Sequence, residues 1–298
     1  MSKKLLILEI ALLIAVISCM CFIRQYFKSF HMPDGLENNM GGYVHFSIDD
    51  SNSIFEDLTL NAGNYKSIFE QPKLNFIKSL HDQYGIVISF YVYYSWDVED
   101  DSFSLADTTD QFKEEFAENA DWLRFGFHAK DADAYETIAA DEEIEYYNKT
   151  IGELIRITGT EKCIDNFVRL DRFQADTEMV DLLHSTDEGI VGLLAADGNG
   201  RQSYALSADE MKLMNLEDWF SDIYGVFYTP TDVRLENIES DEEFYHGLVE
   251  IASQERIIVF THEWILDDKN VQKYMSWFAQ YANQVGKSFG FPEDNTGQ

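Results

Sequence analysis

Tyr43-Val44-His45-Phe46-Ser47-Ile48-Asp49-Asp50 decides the fold of this 298-residue chain. An apolar run long enough for one strand hands over abruptly to two carboxylates. The same design returns at Trp122-Leu123-Arg124-Phe125-Gly126-Phe127-His128 and at Ile257-Ile258-Val259-Phe260-Thr261-His262-Glu263. Residues that bind metals or move protons, standing at the carboxyl ends of parallel strands, would produce this pattern.

Working outward, short apolar runs alternate with longer amphipathic ones. Strands are expected at Tyr43–Ile48, Ile86–Tyr94, Trp122–Phe127, Asn166–Leu170, Gly189–Ala195, Gly225–Tyr228 and Arg256–Phe260. Their nearly continuous apolar character suits strands covered on both faces. Helices are expected over Pro72–Tyr84, Asp110–Asn119, Asp141–Thr158 (Asp141 as N-cap), Asp176–Ser185, Asp241–Ser253 and Val271–Val285. Strands separated by helices imply right-handed crossovers and a parallel sheet. No Gly-rich phosphate turn follows the first strand, which argues against an open nucleotide-binding sheet. The expected class is therefore α/β, a deformed seven-stranded (β/α) barrel related to the TIM barrel. The stretch Asp197–Asp222 is long for a simple connection and reads as an insertion over the strand-end face.

The formal charge of −32, spread along the chain, repels polyanions and argues against nucleic-acid binding. Lys3 and Lys4 precede an apolar stretch, Leu5 to Ile23, broken by Glu9. It approaches the roughly 20 residues that span a bilayer, so one N-terminal hydrophobic helix is expected. Residues 1–30 then form a cytoplasmic stub and membrane anchor or signal segment, and residues 31–298 one domain outside the cytoplasm at the cell membrane. A lipoprotein processed before Cys19 is the alternative. Cys19 and Cys21 both fall in this segment, which leaves Cys163 alone in the domain and without a disulfide partner there.

The predicted strand ends carry Asp49 and Asp50, then His128 followed by Asp131 and Asp133, Arg169 and Asp171, Asp197, Asp232, and His262 with Glu263. Adjacent Asp49 and Asp50 cannot point the same way from an extended chain. At a strand terminus, one can hold an ion while the other reaches its bound water, as metal-assisted hydrolysis requires. The plain alternative is that Asp-Asp-Ser-Asn starts a turn or a helix. His81, His184 and His246 fall within expected helices, and His45 lies inside the first strand.

The order of these motifs resembles the polysaccharide deacetylases of the NodB-homology (carbohydrate esterase) superfamily. Ser47-Ile48-Asp49-Asp50-Ser51 resembles their first motif and Gly126-Phe127-His128 their second. Arg169-Leu170-Asp171-Arg172-Phe173 follows the course of the third, and Val259-Phe260-Thr261-His262 looks like the last. The resemblance spans about residues 42 to 265. It departs at Ala132, four residues after His128, where the family has a second histidine.

That resemblance implies a metal-dependent hydrolase that removes N-acetyl groups from an extracytoplasmic or cell-envelope polysaccharide. It implies a divalent metal, zinc, on Asp50 and His128, with Asp131 as the third ligand. Asp49 would be the general base, Arg169 its positioning partner, and His262 the acid that protonates the departing amine. Trp264 and Asp197 would contact the acetylated glycan, with Trp96 a further aromatic near a strand end. The alternatives are a noncatalytic carbohydrate-binding surface protein that has lost metal competence, and a hydrolase of another ester or amide.

Overall fold

The computed structural model describes residues 30, 32–33, 36, 40–98, 101–132, 138–197, 203–216, 219–221 and 223–295. The expected N-terminal helix, the anchor and Cys19 lie outside the described residues, as does Asp133. Among the described residues no helix is long and apolar enough to cross a membrane.

The strands in chain order are β1 (Tyr43–Asp49), β2 (Ile88–Tyr93), β3 (Ser95–Val98), β4 (Asp101–Ser104), β5 (Leu123–Ala129) and β6 (Phe167–Val168), then β7 (Gly192–Asp197), β8 (Trp219–Ser221), β9 (Val226–Thr231), β10 (Val233–Arg234), β11 (Arg256–His262) and β12 (Ser288–Phe289). All seven expected strands are present, each shifted by a few residues at most. The principal helices are α1 (Asn52–Leu60), α2 (Pro72–Tyr84), α3 (Lys113–Glu118), α4 (Ala140–Thr158), α5 (Thr177–His184), α6 (Ala208–Leu216), α7 (Asp241–Ile251) and α8 (Lys269–Val285).

One sheet runs β10-β11-β1-β2-β5, with β12 beside β1, and all its pairings are parallel. A second runs β6-β7-β9-β8, parallel except for β8 against β9. The single seven-stranded barrel read from the sequence is thus divided into two sheets. They touch through the isolated bridge Phe125–Ile164 and through Asp232, whose backbone N–H donates to Ile258 O at 3.0 Å. Asp165 contributes to the break beside β5. Its Oδ1 accepts from Phe167 N at 2.9 Å, a local side-chain bond in place of a ladder bond.

Alternation along β1 sorts the two faces. Phe46 packs edge-on against Phe278 of α8, while His45, Ser47 and Asp49 turn to the other side, where Arg169 lies. The helix-covered face is aromatic: Phe55 of α1 stacks obliquely on Phe125 of β5, and Phe127 meets Tyr147 of α4 edge-on. Gly126 is required by close approach, since a β-carbon there would stand 2.9 Å from the Tyr91 ring. Tyr91 spans the interior to donate to Phe167 O at 2.8 Å.

The helix boundaries follow local chemistry. Gln71 caps α2 by accepting from Leu74 N at 2.9 Å, Pro72 occupies its first turn, and Gly85 closes it in the left-handed conformation. Helix α4 begins earlier than expected, with Ala139 as N-cap. Asp141 stands in the first turn instead, with Glu142 and Glu143, where the helix dipole favours acids. The stretch Asp197–Asp222 contains α6 and β8. Cys163 is a free, fully buried core residue.

Candidate active site

Asp49 and His262 end neighbouring strands and are in register across the β1–β11 ladder. Asp49 is 2% exposed and pairs with Arg169 Nη1 at 2.8 Å. The same nitrogen donates to Ser47 Oγ at 2.9 Å, and Nη2 donates to Thr231 Oγ1 at 3.2 Å. Thr231 in turn donates to Ala195 O at 2.7 Å, so the fork draws on β1, β7 and β9 together. The guanidinium lies 4.2 Å from the centroid of the Phe260 ring. A buried charge of this kind persists because it is paired, hydrogen-bonded and covered by an aromatic face.

Asp50 breaks the strand with a left-handed backbone, φ 57°, which an aspartate tolerates better than most residues. The reversal sends its carboxylate into a groove of about 520 Å³. Tyr93 Oη donates to Oδ1 at 2.7 Å and Trp264 Nε1 to Oδ2 at 3.0 Å. Burial pushes the Asp50 carboxyl up, but the His128 contact and the Tyr93 bond outweigh it and hold the group well below the usual carboxylate range. Tyr93 is pushed far above the usual phenol range by burial and by the Asp50 and Asp171 charges, so it remains a donor.

His128 owes its direction to a β-bulge. Val92 pairs with Phe127 and Tyr93 with Ala129, so His128 is the extra residue between them. Its Nδ1 stands 2.6 Å from Arg169 O. A carbonyl only accepts, so Nδ1 carries a proton and donates it, and Nε2 is turned toward two carboxylates. There Asp50 Oδ1 is 3.3 Å away and Asp171 Oδ1 is 3.7 Å away. Burial alone would lower the His128 pKa; Asp50, Asp49 and Asp171 raise it to about 9.

His262 has a separate partner. Its Nδ1 stands 2.6 Å from Glu236 Oε1, and Arg234 Nε bonds the same oxygen at 2.6 Å. Burial opposes ionisation of Glu236, but His262 holds its carboxyl down at about 2. Trp264 is 61% exposed and tilts over the His262 ring at 5.3 Å, forming one wall of the site.

Asn52, the first residue of α1, ties this architecture together. Its Nδ2 donates to Tyr93 O at 2.8 Å, and its Oδ1 accepts from Tyr93 N at 2.9 Å. Beyond it the groove is walled by the β3–β4 hairpin through Ser95, Trp96, Asp97 and Ser102. Trp96 Nε1 is anchored on Glu56 Oε2 at 3.1 Å.

The structure brings together Asp49, Asp50, His128, Arg169, His262 and Trp264. Asp131 lines the groove beside Ala132. Asp197 ends β7, and its side chain lies outside the described residues. Asp232 serves the fold, with Oδ2 accepting from Ile258 N at 2.7 Å. Glu263 is buried and paired with Lys73 and Ser53. Tyr93 and Glu236 are the additions that sequence reasoning missed. Tyr93 is hidden in an aromatic run, and Glu236 sits 26 residues before its partner in an unremarkable turn.

No family model matches this sequence, and no curated protein does so either. Solved structures do. A Mycobacterium smegmatis protein assigned as a polysaccharide deacetylase matches at 10% identity over 89% of this chain and 92% of its own, with a TM-score of 0.52. The fold is that of the polysaccharide deacetylases. The Xyl-CE4 domain of a multidomain xylanase from the hindgut metagenome of Trinervitermes trinervoides is similar at 8% identity over 85% of this chain and 89% of its own (TM-score 0.46). A family 4 carbohydrate esterase from Streptomyces lividans, solved with acetate, is similar at 11% identity over 86% and 95% (TM-score 0.40).

A deacetylase-like fold raises the question of a divalent cation. Among the described residues no three His, Cys, Asp or Glu side chains already enclose a common point. His128 and the carboxylates beside it are donor types that such ions accept, but they are not arranged to hold one. Nε2 of His128 is flanked by two carboxylates, and Asp171 Oδ2 is buried with no hydrogen-bond partner. An imidazole with carboxylate oxygens is an ordinary donor set for such ions.

Proposed function

We propose that this chain is a hydrolase that removes N-acetyl groups from an extracytoplasmic glycan. The observation that carries the reading is the pairing at the ends of β1 and β11. Asp49 and His262 are in register, yet one is held by Arg169 and the other by Glu236. Two such groups, adjacent at the strand ends and anchored by separate charged partners, suit a base and an acid acting in sequence.

In this reading Asp49, paired with the Arg169 guanidinium, takes a proton from the water that attacks the acetyl carbonyl carbon. His262 turns Nδ1 to Glu236, which leaves Nε2 to deliver a proton to the sugar nitrogen as the C–N bond breaks. Acetate and a free amine are the products. A bound divalent cation would supply electrophilic polarisation of the carbonyl, with Asp50 and His128 among the residues that would hold it. Trp264 offers an exposed apolar face to a sugar ring. The apolar stretch from Leu5 to Ile23 supports a location at the cell membrane, with this domain outside.

One observation favours the noncatalytic, glycan-binding alternative: Ala132 lines the groove where the resemblance calls for a histidine. A single assay separates the two. The full-length chain in detergent, supplied with Mn²⁺, Co²⁺ or Zn²⁺, should release acetate from N-acetylated glucosamine oligomers or peptidoglycan, and Asp49→Asn should abolish the release. Glycan binding without acetate release under every metal would establish the binder instead.

A further inference from the structure

We infer that Lys73, Ser53 and Glu263 form a positioning network for the proposed site: they fix the turn after β11 and so set the Trp264 indole against Asp50. Its purpose rests on the hydrolase reading, while the placement itself is read on the free chain.

Alternation at the end of β11 gives its last residues opposite duties. His262 follows Phe260 onto the side where Arg169 lies, with the two rings 5.5 Å apart. His262 is itself extended, so Glu263 turns the other way, toward the first turns of α1 and α2. It is 3% exposed, and its Oε1 accepts from Ser53 Oγ at 2.5 Å and from the Lys73 ammonium. Lys73 Nζ also donates to Ser53 Oγ at 3.3 Å, which closes the triangle. The other acid near Lys73, Asp267, is exposed and 4.0 Å away, so Glu263 is the principal partner. Ser53 and Lys73 are each the second residue of their helix, where the helix dipole favours an acid. One carboxylate thus fastens the strand end to two helices.

Trp264 follows Glu263 directly, within the same short turn, Glu263–Ile265. Its indole is 61% exposed, yet Nε1 donates to Asp50 Oδ2 at 3.0 Å. A side chain with so little burial of its own depends on the backbone beneath it for its direction. The other oxygen of Asp50 accepts from Tyr93 Oη, and Asn52 holds Tyr93 by its main chain. Asn52 and Ser53 open α1, so the start of one helix governs both donors to Asp50.

Removing the charge of Lys73 would leave the Glu263 carboxylate buried without a counter-charge, which is strongly unfavourable. Glu263 lines the groove, and water is nearest on that side. The carboxylate would turn toward the groove and draw the turn, with Trp264, away from Asp50.

The test uses the full-length chain in detergent with fluorotryptophan at its five tryptophans, read by fluorine NMR. The Trp264 signal is identified by its loss in Trp264→Phe. Lys73→Met and Glu263→Gln should both move that signal, and Lys73→Arg, which keeps the charge, should leave it near the wild-type position. On a soluble acetylated oligomer, Lys73→Met should raise KM about 3- to 10-fold, as loss of the aromatic contact would, with little change in kcat. A Trp264 signal unmoved in folded Lys73→Met overturns the assignment, whatever the loss in stability. So does a signal that Lys73→Arg displaces as far as Lys73→Met does. If Glu263→Gln does not fold, the two lysine variants decide. An unchanged KM in a Lys73→Met chain that releases acetate also overturns the positioning role. A moved signal in a chain whose wild type releases no acetate removes the hydrolase reading and leaves the placement of Trp264 standing.

Discussion

Asp49 and His262 face each other across one rung of the β1–β11 ladder, and their anchoring partners come from different sides of the fold. Arg169 reaches Asp49 from the turn after β6, whereas Glu236 reaches His262 from the turn after β10. The two charged pairs can therefore be perturbed one at a time.

Replacing Asp49 by Asn keeps the shape and removes the charge. Acetate release should fall at least about 100-fold, as expected for a lost general base. The Arg169 guanidinium would be left buried without its counter-charge, which costs up to about 3–5 kcal/mol. Turnover at saturating substrate and the urea midpoint together check both effects.

Glu236→Gln should lower kcat by about 10- to 100-fold with little change in KM, since it acts through His262 rather than on substrate. It also changes stability against pH. With its carboxyl held at about 2 against an ordinary 4.5, Glu236 stabilises the folded chain above pH 4.5. That contribution fades as pH falls toward 2. Urea titrations over this range should show a shallower acid loss in the variant.

Asp232 has the opposite sign. Burial raises its carboxyl from 3.8 to about 7. Between those values the unfolded chain has released the proton while the folded chain still holds it. Its contribution is therefore full below pH 4 and is lost as pH rises toward 7. Asp232→Asn should flatten this part of the stability profile, because an amide oxygen can still accept from Ile258 N.

Trp264→Ala should leave the unfolding midpoint nearly unchanged, since the indole is 61% exposed. The loss falls on substrate: KM should rise about 3- to 10-fold, in line with roughly 1 kcal/mol for an aromatic contact. Steady-state kinetics on a soluble oligomer measures it.

Much of this site was legible because each strand announces its own end. The apolar runs stop at Asp49, His128 and His262, and polarity at such a boundary has few structural uses. What stayed hidden depends on pairing rather than order. Spacing along the chain does not show that the β5 bulge leaves His128 Nε2 beside both Asp50 and Asp171, the latter 43 residues on. Glu236 was invisible for the same reason. The division into two sheets was equally unreadable, since β6 is two residues long and Asp165 takes a backbone donor beside it. The β3–β4 hairpin was missed because its strands, Ser95–Val98 and Asp101–Ser104, are short and polar.

Asn52 has a consequence beyond anchoring Tyr93. Its amide meets both main-chain groups of Tyr93, doing what a neighbouring strand would do one step further along. The β1–β2 ladder ends at Ile48 and Phe90, and contact resumes through Ser51 N on Tyr91 O and through the Asn52 amide on Tyr93. Asn52 and Tyr93 both line the groove, so two of its lining residues are pinned to each other through main-chain atoms. At that point the spacing of α1 from β2 is set by the reach of one amide, and it should stay the same with or without a glycan.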